Sequence, residues 1–243
     1  MDVMKSHQRL IREKQKQVGE FGLFSTNQSH VSLKETTISI IDFKTAQPLI
    51  EQYEWLGVMP LPKSIRLMIG IYFQDVLGGC LVYVTPSNQC YNKNGHIRNV
   101  VYLNRGACAY WTPKNTASYM IAKSYKILKE RGIKMIVAFC TPEAGEIGTI
   151  YQALNWVYCG QGGKDKMFWL DNRWVGSRCI ADKVKWAKKK SSTEWLQAIN
   201  SIPNKKVEGK HKYVHFLTDK RETKQLMQLY NITNCSYPKR TEK

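Results

Sequence analysis

Apolar residues first settle into a regular spacing at Thr36. Thr36-Thr37-Ile38-Ser39-Ile40-Ile41 is β-branched and half alternating, the mark of a strand, and Lys44 to Glu54 carries Ala46, Leu49, Ile50 and Tyr53 along one helix face. Arg66 to Phe73 and Leu77 to Val84 are two strand-like runs around the break Gln74-Asp75-Val76, which predicts an antiparallel hairpin. Val100 to Arg105 opens another strand, extending to about Tyr110. Thr112-Pro113-Lys114-Asn115-Thr116 offers capping residues ahead of Ala117, Ile121, Tyr125 and Leu128, and Gly132 closes that helix. Ile133 to Phe139 is nearly all apolar and predicts a strand buried on both faces, as in a parallel sheet. Gly145 to Asn155 reads as a short helix and Trp156 to Gly160 as a strand. Met167 to Leu170 and Arg173 to Val175 form a hairpin around Asp171-Asn172. The order β-α-β-β-β-α-β-α-β-β describes an α/β domain over residues 36–176.

Residues 1–35 are polar and basic, with Ser25 to Ser29 as a loop signal, and are expected to form a mobile arm with one short helix outside the core. With 243 residues, 43% of them hydrophobic, the chain can bury a sizeable core. Its longest apolar runs fall far short of the roughly 20 residues a bilayer span requires. No signal-peptide core follows the charged start, so the expectation is a soluble, cytoplasmic protein with no membrane partner. Seven widely spaced cysteines suit free thiols better than a disulfide framework, and no Cys-x-x-Cys knuckle is present.

Charge adds a partner to this picture. The formal net charge is +18, and residues 164–243 hold 19 Lys or Arg against 8 Asp or Glu. Such an excess in the shorter part of the chain points to a polyanion. Lys183 to Lys190, Lys205-Lys206 and Lys210 to Lys212 interleave with Trp186, Trp195 and Tyr213, a pattern that suits phosphate contact with base stacking. Residues 177–243 therefore read as a basic C-terminal extension that binds nucleic acid, with Lys188, Lys189, Lys190, Lys210 and Lys212 as contacts. Cutting the chain after Ser177 is expected to leave a folded core. His211 and His215 are four apart, but Tyr213, Val214 and Phe216 around them favour a strand over a metal-binding helix.

The element order is similar to that of the acyl-CoA-dependent N-acyltransferase fold called GNAT, a mixed central sheet with flanking helices, splayed between its fourth and fifth strands. Three segments carry a closer resemblance: Tyr53-Glu54-Trp55-Leu56-Gly57-Val58-Met59-Pro60, Leu103-Asn104-Arg105-Gly106, and Ala144-Gly145-Glu146-Ile147-Gly148-Thr149-Ile150-Tyr151-Gln152-Ala153-Leu154-Asn155-Trp156. Together they resemble the Mom proteins of bacteriophages, over about Thr36 to Val175 and in matching order. Lys212 to Leu217 and Tyr237-Pro238-Lys239-Arg240 resemble the tails of such proteins. The resemblance implies an enzyme that places a carbamoylmethyl group on the exocyclic amine of adenine in DNA and so blocks restriction, with acetyl-CoA as donor. Iron is associated with the family. This chain departs from the pattern at Glu54, where many relatives have His, and at Thr141, where Asp is expected, so the metal stays unassigned.

What the resemblance implies can be set beside the residues. A GNAT site binds the donor pyrophosphate at a helix N-terminus, where unpaired N–H groups and the helix dipole favour an anion. The Gln/Arg-x-x-Gly-x-Gly/Ala loop of that fold is absent here. Its stand-in is Thr112, Lys114, Asn115, Thr116, Ala117 and Ser118, which read equally as a capped helix start. Tyr151 falls where the fold places the phenol that protonates the leaving thiolate, and it reads as well as core packing. Glu146 and Glu143 are candidates for a general base or for orienting the amine, or simply offset a helix dipole. Asn104 and Arg105 lie on the donor-lining strand, where the arginine could stabilise developing charge or form an ordinary salt bridge. Tyr53, Glu54 and Trp55 end the first helix on the acceptor side, where aromatics could stack an extruded base or anchor the core.

Two other functions stay open: a GNAT acetyltransferase acting on another amine in RNA, protein or a small molecule, and a catalytically inactive DNA-binding protein on the same scaffold. A methyltransferase is disfavoured, because no Gly-rich turn follows the first strand and no Asn/Asp-Pro-Pro-Tyr/Phe segment is present.

Overall fold

The computed structural model describes residues 6–18, 31–86, 96–170, 172–176 and 201–240. Within them the β-branched run Thr36–Ile40 is strand β1, paired antiparallel with β2 (Ile65–Phe73). A turn at Gln74, whose φ is 55°, sends β2 back as β3 (Val76–Val84), and β3 pairs antiparallel with β4 (Val100–Cys108). Helix α1 is His7–Val18. Helix α2 (Phe43–Tyr53) is capped by Asp42, whose carboxylate accepts from Thr45 N at 2.8 Å. Helix α3 (Thr116–Glu130) ends at Gly132, where φ is +73° and any side chain would be strained. Strand β5 (Met135–Cys140) follows, then α4 (Thr149–Gln152) and β6 (Val157–Gln161). The remaining elements are β7 (Asp165–Leu170), β8 (Arg173–Gly176), β9 (Asn204–Val207), β10 (His211–Phe216) and α5 (Lys220–Leu229).

Seven strands form one mixed sheet in the order β1-β2-β3-β4-β5-β10-β6. Strands β4 and β5 run parallel, but their pairing covers only Val100–Leu103 against Met135–Ala138. Beyond Leu103 the two strands part, which is the splayed α/β sheet the element order predicts. Helix α2 lays Ala46, Leu49, Ile50 and Tyr53 on one face of the sheet. On the other, Met120, Ile121 and Leu128 of α3 cover Ile69, Leu81 and Ile136. Each such buried side chain is worth about 1.5–3 kcal/mol. A third cluster joins Val100, Met135 and Val214 to Leu226, Tyr230 and Ile232 around α5.

Three expectations change here. Residues 177–243 are not one extension. The chain forms two units, residues 1–160 with 211–243, and residues 161–210. His211–Phe216 is β10, paired antiparallel with β5 inside the main sheet. Tyr213 and Val214 are fully buried in it, which is why a basic neighbourhood in the sequence nonetheless builds core. The predicted helix from Gly145 to Asn155 shrinks to α4, because Gly145 and Gly148 have φ of 67° and 77° and cannot continue a right-handed helix. The N-terminal arm contributes α1 to the first unit, with Ile11 packed against the α2 cluster.

The inserted unit, residues 161–210, is a three-stranded sheet in the order β8-β7-β9 that buries Met167, Phe168, Val175 and Val207. Cys80, Cys108, Cys140, Cys159 and Cys235 are free thiols. No described helix is long and apolar enough to cross a membrane.

Candidate active site

Where β4 and β5 part, β4 beyond Leu103 stays paired to β3 but loses its partner on the β5 side, and a cavity of about 320 Å³ opens. Leu103, Met120, Ile121 and Phe139 make its walls apolar, and its polar lining includes Gln8, Glu54, Asn104, Arg105, Glu146, Tyr151 and Arg240.

The β4 wall is rigid. Glu54 Oε2 accepts from Leu56 N at 2.7 Å and Gly57 N at 3.2 Å and lies 3.7 Å from Arg105 Nε. Arg105 Nε donates to Val58 O at 2.9 Å and its Nη1 to Asn104 O at 2.9 Å. With these two side chains only 15% and 11% exposed, the pair bolts β4 to the turn after α2. Asn104 beside them lines the cavity; its amide lies against the Tyr102 phenol, and its Oδ1 is buried without a hydrogen-bond partner. An acceptor left in that state costs roughly 1–3 kcal/mol unless a ligand N–H satisfies it.

The facing wall is built on close packing. A Cβ at Gly148 would overlap the Tyr213 ring, so only glycine lets the 147–148 backbone settle there. Tyr213 OH donates to Ile147 O at 2.5 Å, and Gln152 Nε2 donates to Ile147 O, Tyr213 OH and Pro238 O at 3.0, 3.0 and 3.3 Å. Tyr151 projects from this turn with its ring centroid 4.7 Å from Trp156 and 5.3 Å from Tyr213, so it is packed and lines the cavity at once. Burial, reinforced by Cys140 and Glu146, holds its pKa well above 10.0, and the phenol keeps its proton. Burial likewise raises the Cys140 thiol, so this pocket cysteine is no thiolate nucleophile.

The loop expected to take the donor pyrophosphate is mostly turned to its own backbone. Thr112 and Thr116 are buried and donate to Ala109 O at 2.8 Å and Pro113 O at 2.7 Å, and Ser118 donates to Asn115 O at 3.0 Å. Asn115 caps α3 with φ 70° and no side-chain hydrogen bond, while Lys114 is exposed. Of the six candidates only Ala117 lines the cavity. Two residues of α1 reach this region instead: Gln8 Nε2 donates to Gly106 O at 2.8 Å, and Arg12 Nη2 to Thr112 O at 2.8 Å and Tyr110 O at 3.2 Å.

The structure thus brings Glu54, Asn104, Arg105, Glu146 and Tyr151 together and leaves others apart. Tyr53 is 2% exposed under α2 and does not reach the cavity, because its ring fills the core beside Leu49. Trp55 packs edge-on against His7 at 5.1 Å, and Glu143 is half-buried outside the lining. Lys212 lies on β10 and Lys210 in an exposed turn, neither in the lining; Lys188, Lys189 and Lys190 fall outside the described residues. His211 bonds Tyr158 OH through Nδ1 at 2.8 Å. His215 stacks on Tyr125 at 4.3 Å, and burial, then Lys129, lowers its pKa to about 4. Among the described residues no group of three His, Cys, Asp or Glu is arranged to hold a metal. Glu54 already serves Arg105 and two amides, and Thr141 is a poor ligand, so these side chains do not fit iron. Gln8 and Arg12 had no signal in the sequence, and Arg240 had only its place in the tail resemblance, since nothing in the local pattern says where these residues dock.

The Mom protein family matches residues 35–239. No curated protein matches the chain. Among solved structures, the chain resembles the ribosomal-protein-S18-alanine N-acetyltransferase from Escherichia coli (8% identity, 76% of this chain and 95% of that one, TM-score 0.44). It also resembles the IAA acetyltransferase from Bacillus cereus (8%, 74% and 99%, TM-score 0.43). A third is yncA from Salmonella typhimurium with its cofactor acetyl-CoA (10%, 76% and 95%, TM-score 0.45).

Proposed function

The chain belongs to the Mom protein family, and from that membership and the cavity we propose that it modifies the exocyclic amine of adenine in DNA with an acyl-CoA donor, protecting the DNA from restriction. The observation that carries the reading is Asn104: a buried, unsatisfied amide oxygen in a partly apolar cavity is suited to accept an N–H from an amine held there. Aniline-like amines are weak nucleophiles, so orientation and proton removal are what the protein must provide. Asn104 orients the amine, Glu146 takes its proton, and Arg105 with Glu54 keeps the wall in place. Tyr151, protonated at every physiological pH, donates to the leaving side.

Acetyl-CoA, when bound, supplies an activated acyl carbon. Met120, Ile121 and Phe139 would offer such a donor an apolar wall. An amine inside a duplex cannot enter a cavity of this kind, so the base is extruded or read from a single strand.

Mass spectrometry of nucleosides from the DNA of cells expressing the protein tests this. A modified deoxyadenosine is expected, and its mass identifies the transferred group. Unmodified DNA overturns the reading. One feature favours an inactive DNA-binding scaffold instead: Gln8 and Arg12 sit on the backbone a donor would use. Calorimetric titration with acetyl-CoA separates the two, since a scaffold shows no heat of binding.

A further inference from the structure

The inserted unit has features that its own fold does not require. Trp169 of β7 and Trp174 of β8 stand directly opposite in register, with ring centroids 5.3 Å apart and edge-on. Lys205 of β9 lies opposite Met167, two residues from Trp169, so strand alternation puts it on the tryptophan face, where its Nζ is 4.9 Å from the Trp174 centroid. Trp169 remains 40% exposed. The next pair in the ladder, Lys166 and Lys206, is exposed, but by the same alternation it lies on the opposite face of the sheet. Residues 161–210 hold 12 Lys or Arg against 5 Asp or Glu.

We propose that the tryptophan face of the β8-β7-β9 sheet is a nucleic-acid-binding surface on which Trp169 and Trp174 stack bases while Lys205 holds a phosphate. Every base offers a π face, so a tryptophan pair with a cation over it accepts single-stranded nucleic acid without reading its sequence. An anionic membrane would use the lysines but would call for a cluster of protruding apolar groups, and among the described residues of this unit Trp169 is the one exposed large hydrophobic. The proposal rests on the reading that DNA is the substrate and adds where the strand is held.

Fluorescence anisotropy of the full chain with a labelled single-stranded oligonucleotide, over a series of salt concentrations, tests it. Trp169→Ala is expected to weaken binding roughly tenfold to a hundredfold, with Trp169→Phe recovering most of the loss. Lys205→Gln is expected to flatten the slope of log K against log salt by about 0.7, with Lys205→Arg retaining it, while Lys166→Gln with Lys206→Gln on the opposite face leaves it unchanged. Binding unchanged in Trp169→Ala and Lys205→Gln, or binding to phosphatidylserine vesicles in place of the oligonucleotide, overturns the surface. The expected losses in a protein that leaves adenine unmodified support the surface and defeat the enzymatic reading.

Discussion

The two halves of the main sheet, on either side of the cavity, are built differently. Strands β1 to β4 come from one unbroken stretch, Thr36–Cys108, and are packed by aliphatic residues such as Ile69, Ile71, Leu81 and Val82. Strands β5, β10 and β6 come from three separated segments, and aromatic rings tie them together. Tyr125 stacks on His215, His215 on Trp156, and Trp156 contacts Tyr151, which meets Tyr213. Trp156 Nε1 also donates to Tyr125 OH at 2.7 Å. The first half is assembled by neighbours in sequence, while the second depends on a strand that arrives after a fifty-residue insertion. The β4 wall of the site, with Asn104 and Arg105, belongs to the first half, and Tyr151 and Glu146 belong to the second, so the cavity is lined by both kinds of assembly.

The largest test removes that late strand. Cutting the chain after Ser177 deletes β10 and α5, stripping β5 of one partner and the third core cluster of Val214 and Leu226. At about 1.5–3 kcal/mol for each buried apolar side chain removed, the loss is comparable to the whole stability of a typical domain, about 5–15 kcal/mol. Circular dichroism should show no cooperative thermal transition, and a truncated chain that melts cooperatively would mean the first half folds alone.

A smaller change addresses chemistry inside the aromatic half. Tyr151→Phe keeps the ring contacts with Trp156 and Tyr213 and removes the proton donor. Modified adenine is expected to fall by roughly 10²-fold or more with little change in melting temperature. Activity and stability falling together would mark Tyr151 as packing.

Gly148→Ala probes how tightly this half closes on its loop. The added methyl meets the Tyr213 ring at a residue with φ +77°, and overpacking of this kind costs about 1–3 kcal/mol. The variant should melt earlier in denaturant titrations, while an Ala variant as stable as the parent would show that the Tyr213 ring has room to shift.

The mildest test uses pH. His215 titrates near 6.5 when unfolded and near 4 in the aromatic stack, because burial disfavours its charge. The unfolded chain therefore takes up the proton first on acidification. The contribution is full above about pH 6.5 and drains away as pH falls towards 4. The melting temperature should drop more steeply over that window than in His215→Phe, and parallel curves would remove His215 as the cause.

Much of this architecture was legible in the residues. Ala46, Leu49, Ile50 and Tyr53 share a helix face, the Gln74 turn joins two apolar runs, and Ile133 to Phe139 is apolar enough to require burial on both sides. Each of these follows from periodicity over a few residues, which is local information. The strand His211–Phe216 carries the same kind of signal in Tyr213, Val214 and Phe216, but lysines on both sides masked it as part of a basic tail. In the same way Glu54 and Arg105 could be named as candidates from sequence, whereas their pairing across 51 positions could not.

By itself, then, the sequence determined the elements of the first half, the mixed α/β class, the family resemblance and the residue types available for chemistry. Tertiary structure alone decided that β4 and β5 part after Leu103, that Gln8 and Arg240 from opposite chain ends line the resulting cavity, that Tyr53 serves the core, and that the basic region divides between an inserted sheet and a central strand. The division has a physical cause. Backbone hydrogen bonding and side-chain alternation repeat within a few residues and leave a pattern in the chain. Strand order and cavity lining depend instead on which distant surfaces exclude water from each other best, a comparison made only once the whole core is assembled.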